Sequence, residues 1–239
     1  MDSRSDIILN CDLGEHEKPA RTEELMRCIG AANIACGGHA GDADSMRHCL
    51  RLCRKYGVLA GAHPGMAAEG GRGDVLLTSK KLLSLLQEQV ECLAGLAEEE
   101  SVSLHHIKLH GSLYHAVEKD EKLAHTYIKF LKSRQLPLTV FSLAQGAFCN
   151  LARSNGLKVW EEAFADRAYE DDGSLRSRKF QDAVISDKEQ VVARVAQWLK
   201  TGCMQSNTGH AIQLKARTLC IHSDSPDALA LLKALARLS

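Results

Sequence analysis

The 239-residue chain lacks most of the features that assign a protein to a class at sight. Its 30 basic and 30 acidic side chains cancel, and no run of five or more like charges appears, so it carries no electrostatic footprint for nucleic acid or an anionic membrane. No apolar run approaches the roughly 20 residues of a membrane-spanning helix. The start, MDSRSDIILN, is polar and runs directly into a strand-like segment, without the apolar stretch or cleavage site of a signal peptide. None of the nine cysteines forms a Cys-x-x-Cys pair, and an odd number set mostly in apolar stretches suits reduced, buried thiols rather than a disulfide framework. The expected location is the cytoplasm, with neither nucleic acid nor membrane as a partner. The phosphate-cradling G-x-x-x-x-G-K-[ST] pattern is absent too. No linker, internal repeat or low-complexity tract divides the chain, so residues 1–239 are expected to form one domain.

What is present is alternation. Apolar residues make up 45% of the chain, ample for a sizeable core. Short β-rich runs fall at 6–11, 31–36, 57–62, 104–109, 137–142, 157–164 and 217–222, and segments of helical period separate them. The helical segment 42–56 opens on Asp42 as N-cap, places Met46, Cys49, Leu50 and Cys53 on one face and stops at Gly57. Segment 78–99 starts on Thr78 and repeats Leu82, Leu85, Leu86, Gln89, Leu93 and Leu96 at near-helical spacing. Further helices are expected over 120–134, 143–155, 187–201 and 225–238. Strand alternating with helix gives βα units and a parallel sheet, either closed as a barrel or open and doubly wound.

The strand ends favour closure. The first ends in Asn10, Asp12 and Glu15, the second in His39 and Asp42, the third in His63 and the fourth in Lys108 and His110. The sixth leads through Glu161 and Glu162 to Asp166 and Arg167, and the seventh to His222 and Asp224. Any one histidine at a strand end is more often a satisfied structural residue. Six of seven ends polar in the same sense is different, because a barrel gathers all its strand ends at one mouth and buried polar groups carry a desolvation cost that function usually explains. Glycines flank the histidines, as close turns at such a mouth require.

Two loops stand apart. Residues 64–74, PGMAAEGGRGD, read as a lid whose Arg72 can bind a carboxylate or phosphate. Residues 166–178 are the most charged loop, and Asp171-Asp172-Gly173 reads as a turn rather than a calcium site, since no EF-hand spacing follows. The ring of groups admits three chemistries. A carboxylate with imidazoles can hold a divalent metal that activates water. Asp12 or Glu15 can act as general base with a histidine as acid, and Lys108 or Arg167 can stabilise an oxyanion. A thiol nucleophile, Cys11 or Cys36, is the weakest of the three.

In order along the chain, the motifs LNCDLGE, NIACGGHAGD, GVLAGAHPG, IKLHGSLYH, EEAFADRAYEDDGSL and LCIHSDSP resemble the LamB/YcsF family over about residues 7–226. The resemblance implies a seven-stranded (β/α) TIM-like barrel of the glycoside hydrolase and polysaccharide deacetylase kind. It also implies an ATP-dependent 5-oxoprolinase activity: opening the lactam of 5-oxoproline (pyroglutamate) to L-glutamate, with ATP engaged through a complex with two partner subunits. Phosphorylating the lactam oxygen would turn a stable amide into an electrophile that water can attack. On the matching positions, Asp12, Glu15, His39, His63, Lys108 and His110 are the expected catalytic residues. Asn10, Arg72, Glu162, Asp166, Arg167 and Asp224 are the expected substrate ligands, and Asp12, His39, His63 and His222 are candidate ligands for a divalent metal. Two other readings stand beside this one: a stand-alone metal-dependent amidohydrolase or deacetylase, and a non-catalytic binding barrel. The chain departs from the family pattern at Gly38 and after GAHP, where aromatics are usual, at Leu109 in place of proline, and in HSDSP.

Overall fold

Strand and helix close into a barrel in the computed structural model, which describes residues 7–67, 77–134, 138–223 and 227–238. The chain begins β1 (Ile8–Leu13), α1 (Pro19–Met26), β2 (Ala31–Ala35), α2 (Ala43–Tyr56), β3 (Leu59–His63), α3 (Ser79–Glu99) and β4 (Leu104–Ile107). It continues through α4 (Gly111–Lys119), α5 (Glu121–Ser133), β5 (Thr139–Leu143), α6 (Ala147–Ser154) and β6 (Val159–Phe164). The last elements are α7 (Lys188–Thr201), β7 (Cys203–Gln205), β8 (Ala211–Gln213), β9 (Thr218–Ile221) and α8 (Ala228–Leu235). β1 to β6 and β9 form the closed barrel, every neighbouring pair parallel, and β9 seals it between β6 and β1. These seven are the seven strands the sequence predicts, each shifted by a few residues at most.

The helices form where period and caps agree. Asp42 accepts from the Ser45 N–H while the Ser45 hydroxyl accepts from the Asp42 N–H, a reciprocal cap on α2, and Gly57 ends the helix at φ 68°. Thr78 caps α3, whose Leu82, Leu86, Val90 and Leu93 are fully buried and contribute about 1.5–3 kcal/mol each. Gln89 shares that buried face.

Three elements escape the sequence reading. α1 is short and polar, although Pro19 at its first turn is a start signal. α4 begins one residue after His110, inside the segment read as a strand-end loop, and its buried Leu113, Tyr114 and Val117 give it helical period. The β7–β8 hairpin has three-residue strands with no apolar run.

A strand period of two sends Leu9, Cys11 and Leu13 toward the helices and Asn10 and Asp12 into the barrel. Barrel interiors are normally filled with branched apolar residues. Here Asn10, Asn33, His106, Glu162 and Thr218 are each 0% exposed and Lys108 is 2% exposed. A Cβ at Gly61 would lie 2.1 Å from the His106 Nε2, so the glycine makes room for that ring beside it.

Candidate active site

The interior polar residues form a connected floor. Asn10 donates through Nδ2 to Glu162 Oε1 (3.0 Å) and to the Thr218 hydroxyl (2.8 Å), and accepts at Oδ1 from Asn33 (2.7 Å). Asn33 also donates to Asp12 Oδ1 (2.7 Å) and accepts from His106 Nε2–H (2.8 Å). Lys108 Nζ contacts Asp12 Oδ1 (2.8 Å), Glu162 Oε1 (3.2 Å) and Cys220 Sγ (3.0 Å). Burial opposes the ammonium, but Asp12, Cys220 and Glu162 hold its pKa well above the ordinary lysine value. Burial pushes the Glu162 carboxyl up, and the nearby Lys108 only partly offsets it.

Above this floor, at the carboxyl ends of β1 to β4, lies a cluster of acids and imidazoles. Glu15 Oε1 accepts from His39 Nε2–H (3.0 Å), lies 3.2 Å from His110 Nδ1 and is 3.9 Å from His63 Nε2. His63 donates Nδ1–H to the Lys108 carbonyl (2.8 Å), which leaves its Nε2 facing Asp12 Oδ2 (3.3 Å) and His110 Nδ1 (3.0 Å). His39 and His110 stack with ring centroids 3.6 Å apart. Burial pushes the His39 pKa down to about 4, against the Glu15 hydrogen bond that favours its charged form, and burial lowers His110 in the same way. Despite burial, the bond networks to His63 and Lys108 hold Asp12 well below the usual carboxylate range, and hydrogen bonds from His110 and His39 do the same for Glu15. The site therefore pairs ionised Asp12 and Glu15 with neutral His39 and His110 rings.

A cavity of about 600 Å³ opens over the cluster. Asp12, His63, Lys108 and His110 form its base, and Lys119, Arg167, Arg178 and Lys179 bring positive charge to its walls beside His115. Burial and the nearby Arg178 depress the Arg167 guanidinium to about 10. Burial and Arg167, in that order, push His115 down to about 4. His222 also lines the cavity, its Nδ1 3.0 Å from both Asp166 oxygens.

Most of the nominated residues converge. Glu15, His39, His63 and His110 meet in one cluster directly above Asp12 and Lys108, with Arg167, His222 and its partner Asp166 beside it. Several expectations change. Asn10 and Glu162 are sealed inside the barrel and absent from the cavity wall, so they brace Lys108 and Asp12 instead of meeting a ligand. Three acceptors share the three N–H groups of Lys108, which makes it a fixed counter-charge for Asp12 and not an oxyanion donor. Glu161 faces outward to Arg153, and Asp42 is the cap of α2. Asp171-Asp172-Gly173 is a turn, with Asp172 accepting from the Ser174 N–H. Arg72 and Asp224 lie outside the described residues. Asn33, His106 and Cys220 were missed, although the period of two that sends Asn10 and Asp12 inward points to them as well. Nothing local in the sequence distinguishes Arg178 and Lys179 from ordinary loop charge.

The four residues nominated as metal ligands divide between two groups. His39 and His63 join Glu15 and His110 in one set, and Asp12 and His222 join Cys220 in the other, with ligand atoms within 4.8 Å of one another in each. Three imidazoles and a carboxylate are a suitable donor set for a divalent ion. His63 also has the carbonyl partner on its second nitrogen that orients metal-binding histidines, whereas His39 Nδ1 is buried without a partner.

The LamB/YcsF family model matches residues 7–238. The A subunit of 5-oxoprolinase from Bordetella pertussis is 38% identical over 228 residues, 93% of this chain and 90% of that protein. Its counterpart from Pyrococcus abyssi, also an A subunit of 5-oxoprolinase, is 40% identical over 228 residues, 93% of this chain and 89% of that protein. The crystal structure of a lactam utilization protein from Thermus thermophilus superposes with a TM-score of 0.88 at 29% identity, covering 98% of this chain and 95% of that one.

Proposed function

Because the chain belongs to the LamB/YcsF family, we propose that it is the A subunit of an ATP-dependent 5-oxoprolinase, which opens the lactam of 5-oxoproline to L-glutamate as one component of a multi-subunit enzyme. The observation that carries this reading is the convergence of Asp12, His63 and His110 at the base of a cavity walled by cations, with Glu15 and His39 packed against those histidines. A substrate that carries a carboxylate, and gains a phosphoryl group from ATP, is drawn to such walls. Arg167 spends Nε–H on the Ala183 carbonyl and one Nη2–H on the Arg176 carbonyl. Its remaining N–H groups take the substrate carboxylate.

With the ring carbonyl carbon over the cluster, His63 Nε2, backed by Asp12, accepts a proton from the attacking water. Phosphorylation of the lactam oxygen by ATP, with ADP leaving, raises the electrophilicity of that carbon. His110, 3.0 Å from His63 Nε2, takes over the proton that His63 removed from water and delivers a proton to the ring nitrogen as the C–N bond breaks. The product of that step is an acyl phosphate, and a second water releases phosphate and leaves glutamate. Lys108 keeps Asp12 ionised throughout. A divalent ion, when bound, would be held by Glu15, His39, His63 and His110 and would supply Lewis acidity to a water or carbonyl oxygen. We assign ATP to the assembled complex, with two partner subunits, and the cytoplasm as its compartment. Among the described residues no helix is long and apolar enough to cross a membrane.

The test is glutamate release from 5-oxoproline and ATP by the chain reconstituted with its partner subunits. Asp12→Asn and His110→Ala are each expected to lower turnover by about 10²–10⁴-fold, the usual worth of a positioned proton-transfer group. Rates equal to wild type in both variants would reject the assignment.

A further inference from the structure

The cluster has a support that takes no part in the proton transfers. Gln89 is the polar residue on the buried face of α3, 9% exposed among leucines and a valine. Both ends of its amide go to one residue. The Gln89 oxygen accepts from the Gly65 N–H at 3.0 Å, and its Nε2–H donates to the Gly65 carbonyl at 2.8 Å. Gly65 follows His63 and Pro64, and the Pro64 carbonyl accepts the His110 N–H at 2.8 Å.

What rests on Gly65 is the imidazole stack. A Cβ on Gly65 would lie 2.3 Å from His39 Nδ1 and 2.9 Å from the His110 Cβ, so the bare Cα is the wall behind both residues. A Cβ on Gly38 would lie 2.1 Å from the Gly65 oxygen and 2.2 Å from the Gln89 Nε2, so the absence of a side chain there leaves the space the amide fills. His39 Nδ1 faces that wall with no hydrogen-bond partner, which commits the ring's proton to Nε2, the nitrogen that bonds Glu15.

We propose that Gln89 is a positioning residue for the active site: by clamping both backbone groups of Gly65, it holds the wall that sets the placement and tautomer of His39 and the seat of His110. The clamp is specific because an amide offers one donor and one acceptor side by side, matching the two groups of a single peptide residue. An apolar side chain of similar size fills the volume but leaves a buried N–H and a buried C=O unpaired, and the segment shifts to find partners. Catalytic geometry is sensitive to such a shift, because a displacement of about 1 Å can cost about 10²-fold in rate.

The proposal rests on the reading that these imidazoles do the chemistry, and two readouts separate the two. The first is kcat and KM for glutamate release by the reconstituted complex. The second is the imidazole ¹⁵N spectrum of the full chain at one fixed pH in a chelating buffer, which reports the His39 tautomer without any turnover. Gln89→Leu is expected to lower kcat by about 10–100-fold with KM within about twofold, and to add a second tautomer signal for His39. Gln89→Glu supplies the conservative comparison, since a protonated carboxyl also offers O–H and C=O side by side. Relative to wild type at the same pH, this variant is expected to recover at acid pH and to fail when ionised. A Gln89→Leu chain that folds and keeps wild-type kcat and a single His39 tautomer would overturn the proposal. If Gln89→Leu does not fold, a Gln89→Glu ratio that stays flat with pH overturns it instead. If even the wild-type complex releases no glutamate, the functional reading fails alone, and the His39 spectrum still decides the clamp.

Discussion

The barrel floor and the imidazole cluster above it are both made of buried polar side chains, yet their hydrogen bonds are closed in one and open in the other. In the floor nearly every donor has its acceptor: Asn10, Asn33, His106 and Lys108 spend their N–H groups on named partners, and only Glu162 Oε2 is left over. In the cluster three imidazole nitrogens crowd one oxygen of Glu15, two imidazoles share the 3.0 Å contact between His63 and His110, and His39 Nδ1 has no partner. A saturated network fixes its protons, while an unsaturated one can pass them. The floor is therefore the part that holds shape and charge, and the cluster is the part where a proton can move.

The largest effect expected from this contrast comes from the floor. Lys108→Met leaves Asp12 and Glu162 buried without the cation between them, and the loss of one partner from a buried ion pair typically costs about 3–5 kcal/mol. Denaturant unfolding at neutral pH should show a loss of about that size together with loss of turnover. His110→Ala, which removes a cluster residue, should lose turnover but keep its unfolding free energy within about 1 kcal/mol of wild type. If the two variants destabilise equally, the distinction between floor and cluster is wrong.

Acid should affect both regions, through histidines. Burial holds His39 and His115 at about 4 and His106 well below its ordinary value, so in folded chains these rings bind fewer protons than in unfolded ones. Between about pH 6.5 and 4 the unfolded state gains those protons, and stability falls as pH falls. For His39 alone the cost is on the order of 3 kcal/mol once pH reaches 4. The depressed carboxylates Asp12 and Glu15 act lower, their contribution being present above their ordinary values of 3.8 and 4.5 and lost as pH drops further. Unfolding free energy measured from pH 7 to 4 should therefore slope downward, and His39→Gln should reduce the slope. A flat profile in wild type would mean these rings are not buried neutral.

Much of this arrangement is legible in the sequence, for a physical reason. Strand ends carry their polar residues in fixed order, and parallel closure brings all those ends to one mouth, so Asp12, Glu15, His39, His63 and His110 can be assembled from spacing alone. Depth is harder to see. Asn10 and Glu162 look like strand-end ligands, but β6 runs on to Phe164 and carries Glu162 below the cavity. The same period of two that hides Glu162 also turns inward Asn33, which opens the motif NIACGGHAGD, and His106, which precedes IKLHGSLYH, and both sit on their strands below the ends where the histidines gather. Hydrogen bonds between distant segments, such as Gln89 to Gly65, leave no local mark, because a glutamine on an apolar stripe reads as an ordinary interruption.

A smaller effect tests how the two regions are joined. Glu17 lies two residues beyond Glu15 and folds its carboxylate back under the turn, accepting from the N–H groups of Gly14 (2.5 Å), Glu15 (3.2 Å) and His16 (3.1 Å). That turn carries the chain from the end of β1, whose Asp12 belongs to the floor, to Glu15, which belongs to the cluster. Glu17→Gln keeps one acceptor oxygen but replaces the other with an NH₂ that faces backbone donors. The unpaired donors should cost about 1–2 kcal/mol in denaturant unfolding. Turnover should fall only a few-fold with KM unchanged, because Glu15 moves relative to the histidines while the cavity walls stay in place. A loss of turnover as deep as that of His110→Ala would place Glu17 within the proton-transfer chemistry and not beneath it.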